Sequence, residues 1–253
     1  MLYGFAAFET FRVEGGAIWH PSDHRERLEA SARRLNLQGS VERLFEEAHE
    51  VASSLFPGPH VLRAAVVAGE REMGPWSRRR RGPDERWLWA RQARSPASVR
   101  LRVVEATPGW GPSPWKTHAY AAPMGAQRSV SPEEALWVDA RGLVLSAATA
   151  NVFVVDGDRL LTPPLEHGIR DGVMRALLLK TERARASEAR LTLGMLRVSD
   201  AIFTTSAARG ISKVETLDGR PVGTSRGEEL LRLLKSVHSS ATAEQSPSDR
   251  RER

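Results

Sequence analysis

The sequence predicts an α+β protein of two domains, a small α/β domain at the N-terminus and a larger β-rich domain after it. Three observations carry this reading. Strand-like and helix-like stretches mix within the first hundred residues. The segment TPGWGPSP, residues 107–114, then breaks the composition with prolines and glycines. Beyond it, short β-rich units dominate. At 253 residues the chain exceeds the usual domain size of ~100–200 residues. Its 41% hydrophobic and 27% charged residues are those of a chain that buries a core.

In order, LYGFAAFETFRV at 2–13 reads as a strand, Gly15-Gly16 as a turn and Ala17-Ile18-Trp19 as the returning strand of a hairpin. Pro21-Ser22-Asp23 opens a helix, with Ser22 or Asp23 as its cap and Leu28, Ala32 and Leu35 on its apolar face. A second amphipathic helix spans about 41–55 and stops at Pro57-Gly58-Pro59. Residues 60–67 and 86–90 read as strands. The small domain is thus 1–106, followed by a linker at 107–115. The larger domain, 116–238, holds strands at 134–138, 152–155, 159–162 and 201–205. Asp156-Gly157-Asp158 between the second and third is a tight-turn signal. Helices begin near Gly172 and near Gly227. The polar stretch 239–253 reads as a disordered tail, because it has too few apolar groups to offset ordering entropy.

Composition excludes several classes. With no cysteine there is no disulfide scaffold, thiolate metal site or cysteine nucleophile. No apolar run approaches the ~18 residues of a membrane span, and the N-terminus shows no signal-peptide pattern. A cytoplasmic, membrane-independent protein without a metal is expected. The net charge of +6 invites a nucleic-acid reading. However, only four of the 37 basic residues are lysine, a uniform arginine habit rather than a built patch. The run Arg78–Arg81 sits between Gly-Pro pairs, as a solvated loop does. No nucleic-acid partner is expected.

Four features can carry chemistry, and each has an ordinary reading beside it. Lys116 is the only lysine in the first 179 residues, and an amine can lose its proton and form a Schiff base where a guanidinium cannot. Alone it reads more readily as a surface lysine. Arg27, in HRERL, reads alone as a helix-face arginine. HGIRDGVMR at 167–175 is a glycine-bearing entry to a helix, whose free N–H groups suit an anion, though many loops enter helices this way. TTSAARG at 204–210 offers small hydroxyl residues after a strand, or simply a turn satisfying its own backbone. Arginines such as Arg63, Arg91 and Arg209 are candidates for a substrate carboxylate, and the sequence does not choose among its 33 arginines.

The order of these features is more specific than any one. FETFRV, HRERLEASARRL, KTHAY, NVFVVDGDRLLTPP, GIRDGVMR and FTTSAARGI follow one another over residues 3–225 in a succession that resembles the class IV aminotransferases. These are the fold-type-IV pyridoxal-phosphate enzymes, which include branched-chain and D-amino-acid aminotransferases and aminodeoxychorismate lyase. The resemblance implies a small α/β domain and a larger β-rich one with pyridoxal 5'-phosphate between them, a small-molecule amino substrate and usually a homodimer. It implies that Lys116 holds the cofactor covalently and moves the proton, and that Arg27 grips the phosphate with a planar fork. Gly172, Val173 and Met174 give that phosphate backbone donors, and Ser206 and Ala207 form the small-residue turn on its other side. Tyr120 matches the tyrosine near the ring hydroxyl in some relatives. Asn151 matches an asparagine of structural rather than catalytic role.

One position departs. The family's glutamate, five residues before the asparagine and paired to the pyridine nitrogen, is Ser146 here. A hydroxyl bonds the nitrogen without neutralising a pyridinium, so the ring becomes a weaker electron sink. Amino transfer suffers more from that than an elimination with a good leaving group. With the short length, FETFRV and GVMR, this implies an aminodeoxychorismate lyase. Such an enzyme releases pyruvate from 4-amino-4-deoxychorismate to leave 4-aminobenzoate, a folate precursor. The alternatives are a class IV aminotransferase acting on branched-chain or D-amino acids, and a non-catalytic homologue with a degenerate cofactor site.

Overall fold

A computed structural model describes residues 5–55, 57–70, 82–94, 98–181, 185–224 and 234. Two compact units emerge. Of the described residues, the first takes those up to Ala93 together with Trp115–Tyr120, and the second takes Arg94–Pro114 and the remainder.

In the first unit an antiparallel sheet has the order β2-β1-β3-β4, from β1 (Ala6–Glu14), β2 (Ala17–Ile18), β3 (His60–Val67) and β4 (Glu85–Gln92). Alternation along β1 sorts its side chains. Ala7, Phe11 and Val13 join the core made with α1 (Pro21–Arg34) and α2 (Val41–Ser54), where Leu28, Ala32, Leu44, Phe45 and Leu62 pack. Ala6 and Phe8 turn to the other face, with Ala65, Val67 and Tyr120. The Gly15-Gly16 turn requires left-handed backbone at both residues, φ +56° and +79°, which only glycine adopts at no steric cost. The start of α1 differs from expectation. His20, not Ser22 or Asp23, is the N-cap, and no side chain caps the helix. Pro21 is the reason: its fixed φ and missing N–H suit the first helical position and set the helix to begin there. Ser40 caps α2 conventionally, its hydroxyl accepting the Arg43 N–H at 3.1 Å.

The second unit is a mixed sheet of order β10-β9-β8-β11-β12-β5-β6-β7, with β13 beside β12. Its strands are β5 (Ser98–Glu105), β6 (Glu134–Val138), β7 (Val144–Ala147), β8 (Asn151–Asp156), β9 (Arg159–Thr162), β10 (Ala186–Glu188), β11 (Ala201–Ser206), β12 (Gly210–Leu217) and β13 (Arg220–Pro221). Helices α3 (Ala121–Val130), α4 (Val173–Lys180) and α5 (Leu193–Val198) accompany them. One core gathers Leu101, Leu136, Val152, Val154 and Ile202, and a second gathers Trp137, Leu145 and Ile169. Gly157, at φ +63°, turns the β8–β9 hairpin where a tight turn is expected.

The division into units corrects the expected boundary. The chain changes unit at Ala93/Arg94, not across 107–115, and Trp115–Tyr120 returns to the first unit instead of opening the second. Prolines and glycines mark a turn at 107–114, but β5 ahead of it is bonded on both sides, parallel to β12 and to β6, and so belongs to the second sheet. The Arg78–Arg81 run, the tail at 239–253 and, apart from Leu234, the helix expected near 227–237 lie outside the described residues.

Candidate active site

In the first unit the backbone of Lys116 is held on three sides. Its carbonyl accepts the Phe8 N–H at 2.9 Å, the His118 N–H reaches the Ala6 carbonyl at 2.9 Å, and Ala7 and Thr117 bridge. Residues 116–118 therefore run along the edge of β1. The Lys116 N–H in turn donates to the Ser31 hydroxyl of α1 at 3.1 Å. Phe8 is the hub of the side chains. The Lys116 Nζ and the Arg63 guanidinium carbon each lie 4.8 Å from its ring centroid. The His118 ring is 5.0 Å away, and Tyr120 stands edge-on at 5.4 Å. Burial, and then the Arg63 charge, push the His118 pKa down, so this imidazole is neutral at pH 7.

Beneath this face lies a buried charge cluster. The Arg27 Nε donates to Glu9 Oε1 at 2.7 Å and its Nη2 to Glu9 Oε2 at 2.8 Å, a two-pronged pair. The His24 Nδ1 lies 2.8 Å from the same Oε2. Glu9 and His24 are both 0% exposed. Burial pushes the Glu9 carboxyl upward. The Arg27 guanidinium, the His24 hydrogen bond and the Lys116 charge outweigh it and hold the group far below the usual carboxylate range. For His24 burial dominates and lowers the pKa. Glu9 is thus an anion and His24 neutral, which assigns the proton to Nδ1 as donor. The Nε2 is buried without a hydrogen-bond partner among the described residues. Neither Glu9 nor His24 stood out in the sequence, although a signal was there. Glu9 is in phase with Ala7, Phe11 and Val13 on the core side of β1, and a carboxylate in such a place demands a cation.

In the second unit the loop entering α4 is braced by Asn151. Its amide donates to the Arg170 carbonyl at 2.8 Å, and a Cβ on Gly172 would stand 2.1 Å from its Oδ1. Gly172 is the N-cap of α4 with no side-chain cap, and Val173 and Met174 are buried, so what this end offers a ligand is backbone N–H. β11 pairs Thr205 with Asn151, which brings Ser206 to the same end of the sheet. The Ser206 hydroxyl accepts the Arg209 N–H at 3.2 Å, and Ala207 is half-buried. The Thr205 hydroxyl is buried and has no hydrogen-bond partner among the described residues. Ser146 is buried on β7.

The three candidate arginines separate. Arg209 is engaged, its Nη1 2.9 Å from Glu134 Oε2 and its Nη2 donating to Oε1 at 3.0 Å, with Thr149 bonded to the same carboxylate. Arg91 is exposed and lies 6.0 Å from the Trp89 ring. Arg63 alone of the three shares the Phe8 ring with Lys116. Taken by itself, the first unit offers an amine and a guanidinium on one aromatic ring, and the second, taken by itself, a helix N-terminus with free backbone N–H groups. The amine is of the kind that condenses with an aldehyde and the helix end of the kind that binds a phosphate.

The family model for amino-transferase class IV matches residues 6–217. A putative branched-chain-amino-acid aminotransferase of Methanocaldococcus jannaschii is 32% identical over 106 residues, which is 41% of this chain and 37% of that protein. The chain thus matches little more than a third of that relative's length. The aminodeoxychorismate lyase of Bacillus subtilis is 26% identical over 90% of this chain and 82% of its own length. Among solved structures, the branched-chain aminotransferase of Escherichia coli has a TM-score of 0.82 at 21% identity, covering 94% of this chain and 85% of that one. A hypothetical aminotransferase of Mycobacterium tuberculosis in its PLP-bound form has a TM-score of 0.77 at 23% identity, covering 94% of this chain and 90% of that one.

Proposed function

The chain belongs to the class IV aminotransferase family, the pyridoxal-phosphate enzymes of fold type IV, and from that we propose that it is an aminodeoxychorismate lyase. The reaction is the elimination of pyruvate from 4-amino-4-deoxychorismate to give 4-aminobenzoate. When bound, the cofactor supplies an electron sink for the carbon that bears the substrate amine. With the cofactor in place, Lys116 would hold it and would take the proton from that carbon. The bond from the ring carbon to the ether oxygen would then break, enolpyruvate would leave and take up a proton to become pyruvate, and the ring would become aromatic. On the family resemblance, Arg27, the backbone N–H groups from Gly172 to Met174 and the Ser206-Ala207 turn would each be donors to its phosphate. Tyr120 serves the ring hydroxyl, and Arg63, beside Lys116 on the Phe8 ring, takes a substrate carboxylate. The working form is a homodimer.

The observation that carries the choice of a lyase is Ser146. It is a buried, uncharged side chain where the family pairs a carboxylate with the pyridine nitrogen, and it favours a reaction driven by aromatisation over one that must reprotonate the cofactor. The second reading, an aminotransferase for branched-chain or D-amino acids, is favoured by the likeness to the branched-chain enzymes.

Purified protein supplied with 4-amino-4-deoxychorismate is expected to release pyruvate and 4-aminobenzoate in equal amounts. It is expected to exchange no amino group between amino acids and 2-oxo acids. Exchange without pyruvate release would transfer the assignment to the second reading. The protein should be yellow, and Lys116→Ala should lose the visible absorbance. A colourless wild type that does not take up added cofactor would instead mark a non-catalytic homologue.

A further inference from the structure

We propose that Glu9 is a positioning residue of the cofactor site, the buried anchor that fixes the plane of the Arg27 guanidinium and so sets its grip on a phosphate. The inference rests on the proposed role of Arg27 as a phosphate ligand and extends it to a residue with no contact to the ligand.

An arginine side chain has several rotatable bonds, and holding its fork in one plane costs conformational entropy. Here that ordering is done in advance. Both oxygens of a fully buried carboxylate hold the Nε–Nη2 edge of Arg27 at 2.7 and 2.8 Å. The carboxylate is itself fixed. Oε2 accepts from His24 Nδ1 at 2.8 Å and from the Thr10 N–H at 3.2 Å, and the Phe11 ring stands edge-on to His24 at 5.0 Å. β1 supplies Glu9, Thr10 and Phe11, while α1 supplies His24 and Arg27, three residues apart and hence on one helix face. Among the described residues, three charged or titratable groups face Glu9: Arg27 and His24 from α1, and Lys116 from the segment along the edge of β1.

This arrangement differs from a merely structural ion pair in one testable respect. If Glu9 acts on the phosphate through Arg27, the effect of removing its charge must vanish when Arg27 is gone. The test is a double-mutant cycle on the whole chain: wild type, Glu9→Gln, Arg27→Gln and the double variant. Affinity for pyridoxal 5'-phosphate is read from tryptophan quenching, and affinity for inorganic phosphate from calorimetry of the cofactor-stripped protein. Both are measured well below each variant's unfolding temperature.

Glu9→Gln is expected to weaken both affinities roughly tenfold or more, as loss of a buried hydrogen-bonded charge partner does. In the Arg27→Gln background the same change should cost less than about twofold. Glu9→Asp keeps the charge but withdraws the carboxylate by one methylene. It should bind both ligands more weakly than wild type, and it serves as the second variant should Glu9→Gln not fold. Unchanged phosphate affinity in Glu9→Gln and Glu9→Asp, or an equal loss with and without Arg27, overturns the proposal. A wild type that binds no cofactor would instead overturn the family-based function, which separates the two failures.

Discussion

His24 shows how one residue ties the candidate site to stability. Its pKa is lowered from an ordinary 6.5 by burial, so below pH 6.5 the unfolded chain takes up a proton that the folded chain refuses. Stability should therefore fall as the pH drops below 6.5. It should fall further below about 4.5, where unfolded glutamates protonate while the depressed Glu9 stays charged in the fold. His24→Asn keeps a donor for Glu9 but does not titrate. Its urea midpoint should decline less between pH 6.5 and 4.5 than that of wild type, with the half-buried His118 supplying part of the remaining slope. An unaltered slope would remove His24 as the source. At this scale the sequence was only partly legible. The order of motifs singles out Lys116 and Arg27 as candidates, because one lysine among arginines and an arginine in HRERL are marked by type. Glu9 was not, because its importance lies in what α1 brings against it across 15 to 18 positions of chain.

At the scale of elements, the brace between Asn151 and the start of α4 leaves no space for a side chain at Gly172. Gly172→Ala sets a methyl against Asn151 Oδ1 and should cost about 1–3 kcal/mol in unfolding free energy. Adding Asn151→Ala should recover part of that loss, although Asn151→Ala alone destabilises by freeing the Arg170 carbonyl. Ser31→Ala removes the acceptor of the Lys116 N–H and should cost about 1 kcal/mol in the same measurement. Elements with a clear period were legible, as with the β1–β2 hairpin, α2 and the β8–β9 turn. The cap of α1 was not, because Ser22 and Asp23 look like caps while Pro21 decides where the helix starts. β7 was missed for a different reason. All four of its residues are buried, a serine and an alanine among them, so it shows no alternation to read, and it is a strand through its pairing with β6.

For the whole molecule, sedimentation should give a particle of twice the chain's 28.0 kDa mass. A monomer at working concentration would remove the dimer from the proposed function. On β4, Trp87 and Trp89 are 50% and 54% exposed. Large apolar side chains so placed are where association buries surface, and Trp89→Ser should lower the dimer fraction. The two-unit plan was legible from composition, but its seam was not. Breakers mark where a chain turns, whereas membership of a unit is settled by strand pairing between segments far apart, as β5 with β12. The short stretch that carries Lys116 has a consequence for any redesign of this protein. Its alignment is dictated at its destination, by two backbone hydrogen bonds to Ala6 and Phe8, and not by the segment that leads to it. Insertions in the proline-rich approach at 107–114 should thus leave the amine aimed as before. A slip of one position against β1 would present Trp115 or Thr117 in its place, and under the proposed role of Lys116 activity should be lost with it.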